Sequence, residues 1–233
     1  MKKTTAIDVR NLKKVYGKGN TEVIAMKDAS MSVKFGEVVA LLGPSGSGKS
    51  TFLTSVGLIN PPTSGQIDIR GKLVMDGAVP KINLRKFRKE HIGFIFQKSN
   101  LIPFLTALEN VQIALELNGV KRNDAKKKAM LLLDELGMGE RFNSLPSMLS
   151  GGQQQRVAVC RALANKPALI LADEPTAALD SHLGRQVMIL LRDVAHRFGT
   201  AVIVVTHDHR ALEVFDTIYE MEDGVISKYN IEC

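Results

Sequence analysis

The chain has 233 residues, 45% of them hydrophobic and 24% charged, and its 31 Lys and Arg outnumber its 24 Asp and Glu for a formal net charge of +7. That composition is ordinary for a globular protein with one large domain, and it excludes collagen-like, mucin-like and largely disordered chains. The excess of cations points to an acidic partner: nucleotide phosphates, a nucleic acid or an anionic membrane face.

Strands dominate the first third. Ile7, Val9, Leu12 and Val15 roughly alternate with polar residues, Ile24, Met26, Met31 and Val33 follow, and Val38-Val39-Ala40-Leu41-Leu42 is a fully apolar run. Gly43 breaks that run, and a helix is expected from about Lys49. Short strands are expected over 66–69, 73–75 and 92–96. The middle is helical: Ala125, Ala129, Leu132, Leu133 and Leu136 recur at three-to-four-residue spacing up to Gly137, and a further helix runs from about Ser150 to Ala164. The last third alternates again, with a strand over 168–172, a helix over 182–198 with Leu183, Val187, Leu190, Val194 and Phe198 on one face, and a strand at Ala201–Val205. A β-α-β run of this kind implies a parallel sheet.

None of the apolar stretches approaches the ~18 residues that a membrane span needs, so nothing here is expected to cross a bilayer. Met1-Lys2-Lys3 runs straight into Thr4, Thr5, Asp8 and Arg10, without the apolar core of a signal peptide. Cys160 and Cys233 make neither a disulfide framework nor a zinc site, and the cytosol is the simplest compartment.

Gly43-Pro44-Ser45-Gly46-Ser47-Gly48-Lys49-Ser50 fits the pattern G-x-x-x-x-G-K-[ST], and it follows a buried strand and opens a helix, as the mechanism requires. Its glycines let backbone N–H groups turn inward around a β-phosphate, and the helix N-terminus adds partial positive charge. Lys49 is placed to reach the β- and γ-phosphates, Ser50 to put its hydroxyl on Mg²⁺, and Thr51 to sit near the α-phosphate. Alone, this loop implies a nucleoside triphosphate, and a small-molecule kinase or a GTPase would share it.

Leu149-Ser150-Gly151-Gly152-Gln153 begins a second helix. Ser150 is a good N-cap, and Gly151 and Gly152 leave amides open at the positive end of the dipole. The plain alternative is a capped helix start. Residues 149–156, Leu-Ser-Gly-Gly-Gln-Gln-Gln-Arg, resemble the signature motif of ATP-binding cassette (ABC) proteins, and other elements fall in that family's order over nearly the whole chain. Tyr16 resembles the aromatic that stacks on adenine, and Gln97 the glutamine that ends a core strand. The strand 168–172 leads through Asp173 to Glu174 as in the Walker B motif. Ala178-Leu179-Asp180 resembles the D-loop, and His207 the switch histidine.

The resemblance implies an α/β P-loop NTPase (RecA-like) core with an N-terminal antiparallel β portion and an inserted α-helical lobe. That is one ABC ATPase domain over 1–233, with 1–97 and 165–233 as core and 98–164 as lobe. It implies an ATPase using ATP and Mg²⁺, with the metal at Ser50, Asp173 and Gln97, Glu174 orienting or deprotonating the attacking water, and His207, Gln97 and Lys49 completing the catalytic set. It also implies a head-to-tail dimer with a second copy, in which Ser150, Gly151 and Gln153 serve the nucleotide of the partner, with Gly152 and Asp180 also in the nucleotide-binding set.

Within the family, Tyr16 with Glu22-Val23-Ile24-Ala25-Met26-Lys27, and the stretch from Ile92 to Val111, are similar to macrolide-exporter, lipoprotein-releasing and heterocyst-glycolipid-exporter ATPases. That implies a separate integral membrane permease, a periplasmic adaptor, a place at the cytoplasmic face of the inner membrane, and export or extraction of a lipid, lipoprotein or drug-like substrate. A division-associated, FtsE-like ATPase that signals without cargo is the alternative. A nucleic-acid role is disfavoured, because the stretch between Lys49 and Ser150 lacks sustained heptads. The apolar loop 101–105 is either a docking surface for a permease helix or lobe packing. The basic stretch 81–98 reads as a solvated face, with anionic lipid as the sharper alternative. Cys160 reads as a small core residue, and His91, His182, His196 and His209 carry no metal-ligand spacing.

Overall fold

The computed structural model describes residues 4–208 and 211–229; His209 and Cys233 lie outside the described residues. In chain order the elements are β1 (Thr5–Tyr16), β2 (Val23–Lys34), β3 (Val38–Leu42), α1 (Lys49–Val56), β4 (Ser64–Ile69), β5 (Lys72–Asp76), β6 (Val79–Pro80), α2 (Leu84–His91) and β7 (Ile92–Ile95). They continue with α3 (Ala107–Glu116), α4 (Arg122–Glu135), α5 (Gly151–Leu163), β8 (Leu169–Asp173), α6 (Ser181–Phe198), β9 (Ala201–Val205), β10 (Thr217–Glu222) and β11 (Val225–Lys228).

The strands form one sheet in the order β6-β5-β4-β1-β2-β11-β10-β3-β9-β8-β7. Its first half is antiparallel, with β1 between β2 and β4. Its second half, β10-β3-β9-β8-β7, is parallel, with Val38 opposite Val202 and Ile170 opposite the same Val202. Hairpin β10–β11 joins the halves, through a single pairing of Val225 with Asp28. All five residues of β3 and all five of β9 are buried, so these strands show no alternation with polar residues; parallel strands covered on both faces need none.

Strand periodicity then splits the core in two. Val38, Ile170, Ala172, Val202 and Val204 pack with Val111, Leu133, Val159, Cys160 and Leu191 of the helices α3–α6. Their neighbours Val39, Leu41, Leu169, Leu171, Ile203 and Val205 face the other way, onto Phe52 of α1 and Ile7, Met26, Ile67 and Ile69 of the antiparallel strands. Among the described residues no helix is long and apolar enough to cross a membrane.

Several elements differ from the sequence reading. The buried face of α6 centres on Val187, Met188, Leu191, Val194 and Ala195, rotated from the face expected through Leu183, Leu190 and Phe198. The strand expected over 92–96 stops at Ile95, and the one expected over 168–172 runs from Leu169 to Asp173. Helix α2 falls in the basic stretch read only as a charged face: Leu84 and Phe87, one turn apart, are its only apolar side chains, and Phe87 alone is fully buried. Helix α3, opened by a reciprocal Thr106–Glu109 capping box, and the hairpin β10–β11 are further additions.

Candidate active site

The loop between β3 and α1 is shaped by two glycines. Gly43 has φ 145°, and a Cβ there would sit 2.2 Å from the Met221 carbonyl oxygen; Gly48 has φ 107°, and a Cβ would sit 2.4 Å from that of Ala25. Any side chain at either position meets backbone as well as a left-handed torsion. The loop is braced from outside, since Gly224 N–H, in the β10–β11 turn, donates to Ser47 O at 3.0 Å. Gly48 is the N-cap of α1 and provides no side-chain acceptor for the first amides of that helix. A helix start of this kind accepts an anion.

A concavity of about 320 Å³ opens over this loop, lined by Ala25, Ser45, Gly46, Gly48, Lys49, Ser50, Thr51, Asp173, Glu174 and Val205. Lys49 folds back, its ammonium donating to Gly43 O and Pro44 O at 2.7 Å each. Burial pushes its pKa down, with the carboxylates of Glu174 and Asp173 pulling the other way. Asp173, the last residue of β8, has its pKa raised by burial and by Glu174 beside it, against the opposing pull of Lys49. The site thus holds two adjacent carboxylates and one cation at the C-terminal ends of parallel strands, where ligands gather in open α/β sheets.

Glu174 is held unusually firmly. Its φ of 47° is left-handed, a strained conformation for a residue with a side chain, and its N–H donates to Val205 O at 2.9 Å. His207 Nδ1 lies 2.8 Å from Glu174 Oε1, and Thr206 Oγ1 donates to Oε2 at 3.3 Å. Thr206, itself steadied by the Asp208 N–H, escaped the sequence reading although it adjoins His207. The His207 side chain is 72% exposed, so the pair sits at the mouth of the concavity. Ser50 and Asp173 together offer a hydroxyl and a carboxylate, hard oxygen donors of the kind Mg²⁺ takes, so the residues present fit that ion.

Other candidates lie elsewhere. Gln97 is exposed and is not among the lining residues. Tyr16, 41% exposed, has its hydroxyl against Asn60 Nδ2 and the Lys14 ammonium 5.1 Å from its ring centre. Asp180 caps α6 by accepting from Leu183 N at 2.9 Å. Ser150 and Gln153 cap each other's backbone, Gln153 N–H to Ser150 Oγ at 3.3 Å and Ser150 N–H to Gln153 Oε1 at 3.0 Å. A Cβ on Gly151 would lie 3.0 Å from Leu179, and one on Gly152 3.3 Å from Leu183, so these glycines let the segment around Asp180 lie against the start of α5.

Two features had no local sequence signal. Arg161 of α5, largely buried so that its pKa is lowered, donates to Ser99 O at 2.8 Å and Asn100 O at 2.7 Å. On the same helix Gln155 donates to Phe96 O at 3.2 Å, and Gln154 accepts from Ser99 Oγ at 3.1 Å. Helix α5 therefore grips the segment that carries Gln97. Likewise the buried Asn110 accepts from Ile102 N and donates to Ile102 O, Leu105 O and Thr106 O, fixing the loop 101–105 with Phe104 78% exposed. Cys160 is fully buried, and burial pushes its thiol far up, away from reactivity.

Residues 26–177 match the family model described as ABC transporter. The chain is 42% identical over 226 residues to an uncharacterized ABC transporter ATP-binding protein, MJ0796, of Methanocaldococcus jannaschii, covering 95% of each. A solved dimeric structure of MJ0796 in a post-hydrolysis state, bound to ADP and Pi, superposes with a TM-score of 0.82 at 40% identity, covering 97% of this chain and 99% of that one. The macrolide export ATP-binding/permease protein MacB of Agrobacterium fabrum is 43% identical over 220 residues, 94% of this chain, but the chain spans only 34% of that protein's length. The fold is that of the P-loop NTPases, and the chain belongs to the ABC transporter family as an ATP-binding cassette, an ATPase that works on ATP with Mg²⁺.

Proposed function

We propose that this cassette couples ATP-driven closing of a head-to-tail homodimer to a separate integral membrane permease, for export or extraction of a lipid, lipoprotein or drug-like substrate. One observation carries the dimer: the P-loop concavity holds Lys49, Ser50, Asp173 and Glu174 but no residue of 150–153, so a second anion-shaped helix start is left for another molecule's nucleotide. The dimeric MJ0796 structure supports that arrangement. The identity to MacB, an export ATP-binding/permease protein, supports an export role. In this reading the helices of 98–164 act as a lobe, and Phe104, exposed on a loop pinned by Asn110, docks the permease.

In the mechanism, the amides of Gly46 to Thr51 wrap the triphosphate. Lys49 exchanges the Gly43 and Pro44 carbonyls for the β- and γ-phosphates. Ser50, Asp173 and Gln97 would hold Mg²⁺, which would supply charge neutralisation for phosphoryl transfer. Glu174 orients the attacking water and accepts its proton, while His207 steadies the carboxylate and contacts the γ-phosphate. Tyr16 offers its part-exposed ring to adenine. Glu174→Gln tests the scheme: hydrolysis falls by about 10²–10⁴-fold while ATP binding persists, and size exclusion shows an ATP-dependent dimer. Normal turnover by that variant would remove Glu174 from its role. Mass spectrometry of proteins that co-purify from membranes tests the permease.

A further inference from the structure

The net charge of +7 is not absorbed by the nucleotide site, which uses Lys49 alone. Helix α2 is where the remainder is most concentrated. Phe87 points into the core, and the helical turn puts Arg85 and Lys89 opposite it, with Lys86 and Arg88 on either flank. Glu90 is the one acid of the helix, and it is turned to His91 at 3.8 Å. Among the described residues, none of Arg85, Lys86, Arg88, Lys89 or Lys121 forms an ion pair. Two of its cations donate hydrogen bonds to neighbouring segments. Lys89 Nζ donates to Leu117 O at 2.8 Å, joining α2 to the turn between α3 and α4, where Leu117 is 66% exposed and Lys121 follows. Arg88 donates to Leu58 O at 2.7 Å, joining α2 to the end of α1, where Ile59 is 52% exposed.

We propose that this face, the cations of α2 and Lys121 around the protruding Leu117 and Ile59, is a contact surface for anionic lipid headgroups. Its chemistry is that of an interfacial binder: cations that meet headgroup phosphates, and isolated aliphatic side chains that reach the acyl boundary. The acids nearby are few: Glu116 accepts from Gln112 Nε2, Glu109 closes the α3 cap, and Asp124 lies in the first turn of α4. A duplex or single-stranded nucleic acid would be served by the cations but not by Leu117 and Ile59, which offer no aromatic face for stacking. The proposal rests on the reading of the cassette as a membrane-associated subunit, and it adds a direct contact with the bilayer beside the one made through a permease.

The test is sedimentation of the full chain with vesicles of phosphatidylcholine alone and of phosphatidylcholine mixed with phosphatidylglycerol. Binding is expected to the mixed vesicles only, falling steeply with salt. Combined Arg85→Glu, Lys86→Glu and Lys89→Glu substitutions are expected to weaken it on the order of 100-fold. Lys89 also favours the C-terminal end of the α2 dipole, so the neutral set Arg85→Gln, Lys86→Gln and Lys89→Gln is the companion variant, expected to lose at least tenfold with solution ATPase unchanged. Leu117→Ser is expected to weaken binding several-fold without altering its salt dependence. Equal binding to both vesicle types, unaltered binding by either triple variant, or displacement from mixed vesicles by equimolar duplex DNA would overturn the proposal. The vesicle assay contains no permease and no nucleotide. A Glu174→Gln protein that fails to dimerise would therefore undo the functional reading while leaving this result to stand or fall by itself.

Discussion

Two helix starts in this chain look alike as sequence and differ as structure. Both are rich in glycine and serine, and both follow a break in the chain. At α1 the cap is Gly48 in a left-handed conformation, no side chain serves the first amides, and a buried lysine, a serine and two carboxylates converge on the space in front. At α5 the cap is Ser150, and the reciprocal Ser150–Gln153 pair satisfies its own backbone. The first end is incomplete without an anion. The second satisfies its own backbone, with Gly151 exposed and Gly152 buried beside Leu183. Two helix starts of similar composition thus differ by one cap: one leaves its first amides unserved and the other serves them from its own side chains.

The sharpest test of that contrast is Lys49→Ala, which should lower ATP affinity by at least about 100-fold, because the triphosphate loses its one buried cationic partner. Titration with a fluorescent ATP analogue reads it, and retained affinity would break the comparison. Next is Arg161→Met, which strands the Ser99 and Asn100 carbonyls and should cost about 2–4 kcal/mol in denaturant unfolding. Amide exchange at 97–101 should rise in the same variant. Ser150→Ala should cost about 1 kcal/mol through the lost cap, with ATP affinity of the monomer unchanged and turnover reduced. A drop in monomer affinity would mean that the two starts are not independent.

The smallest effect concerns pH. Asp173 has a folded pKa above its unfolded one, so the native state binds more protons there and stability falls as pH rises through that window. Asp173→Asn should therefore raise the melting temperature of the nucleotide-free protein at neutral pH, with the gain shrinking as pH falls and the aspartate protonates. Calorimetry across pH 4 to 7 checks the sign, conditions in which carboxylates of this kind titrate. Lys49 works in the opposite direction, since its lowered pKa adds stability only as pH rises toward the ordinary lysine range.

Much of the parallel half was legible along the chain. The runs at β3, β8 and β9 are too apolar to be anything but strands buried on both faces, and Gly137 and Gly199 end their helices with left-handed torsions of 73° and 64°. Helix α2 was not read because it is two turns long and its apolar stripe is only Leu84 and Phe87, too short to stand out within a run of cations. The buried face of α6 includes Gly184, close against Thr176, a residue that a count of apolar side chains passes over. Exposed Gln97 and Tyr16 are not among the residues lining the phosphate-loop concavity, and their motifs, being matches of residue type and order, do not say where the side chains rest.

What the amino-acid sequence determined by itself is local: which loop can turn its amides inward, which helix ends are capped, and which strands lie deep. These follow from φ/ψ freedom, side-chain acceptors and apolar runs, all readable within a few residues. Tertiary structure alone decided the contacts between distant segments. Strand β9 beside β8 brings His207 onto Glu174, 33 residues away. Packing of α5 against the chain beyond β7 brings Arg161 to Ser99 and Asn100, and the end of α2 reaches Leu117. Strand order and helix packing are global outcomes of burying one core, and no short stretch of sequence encodes them.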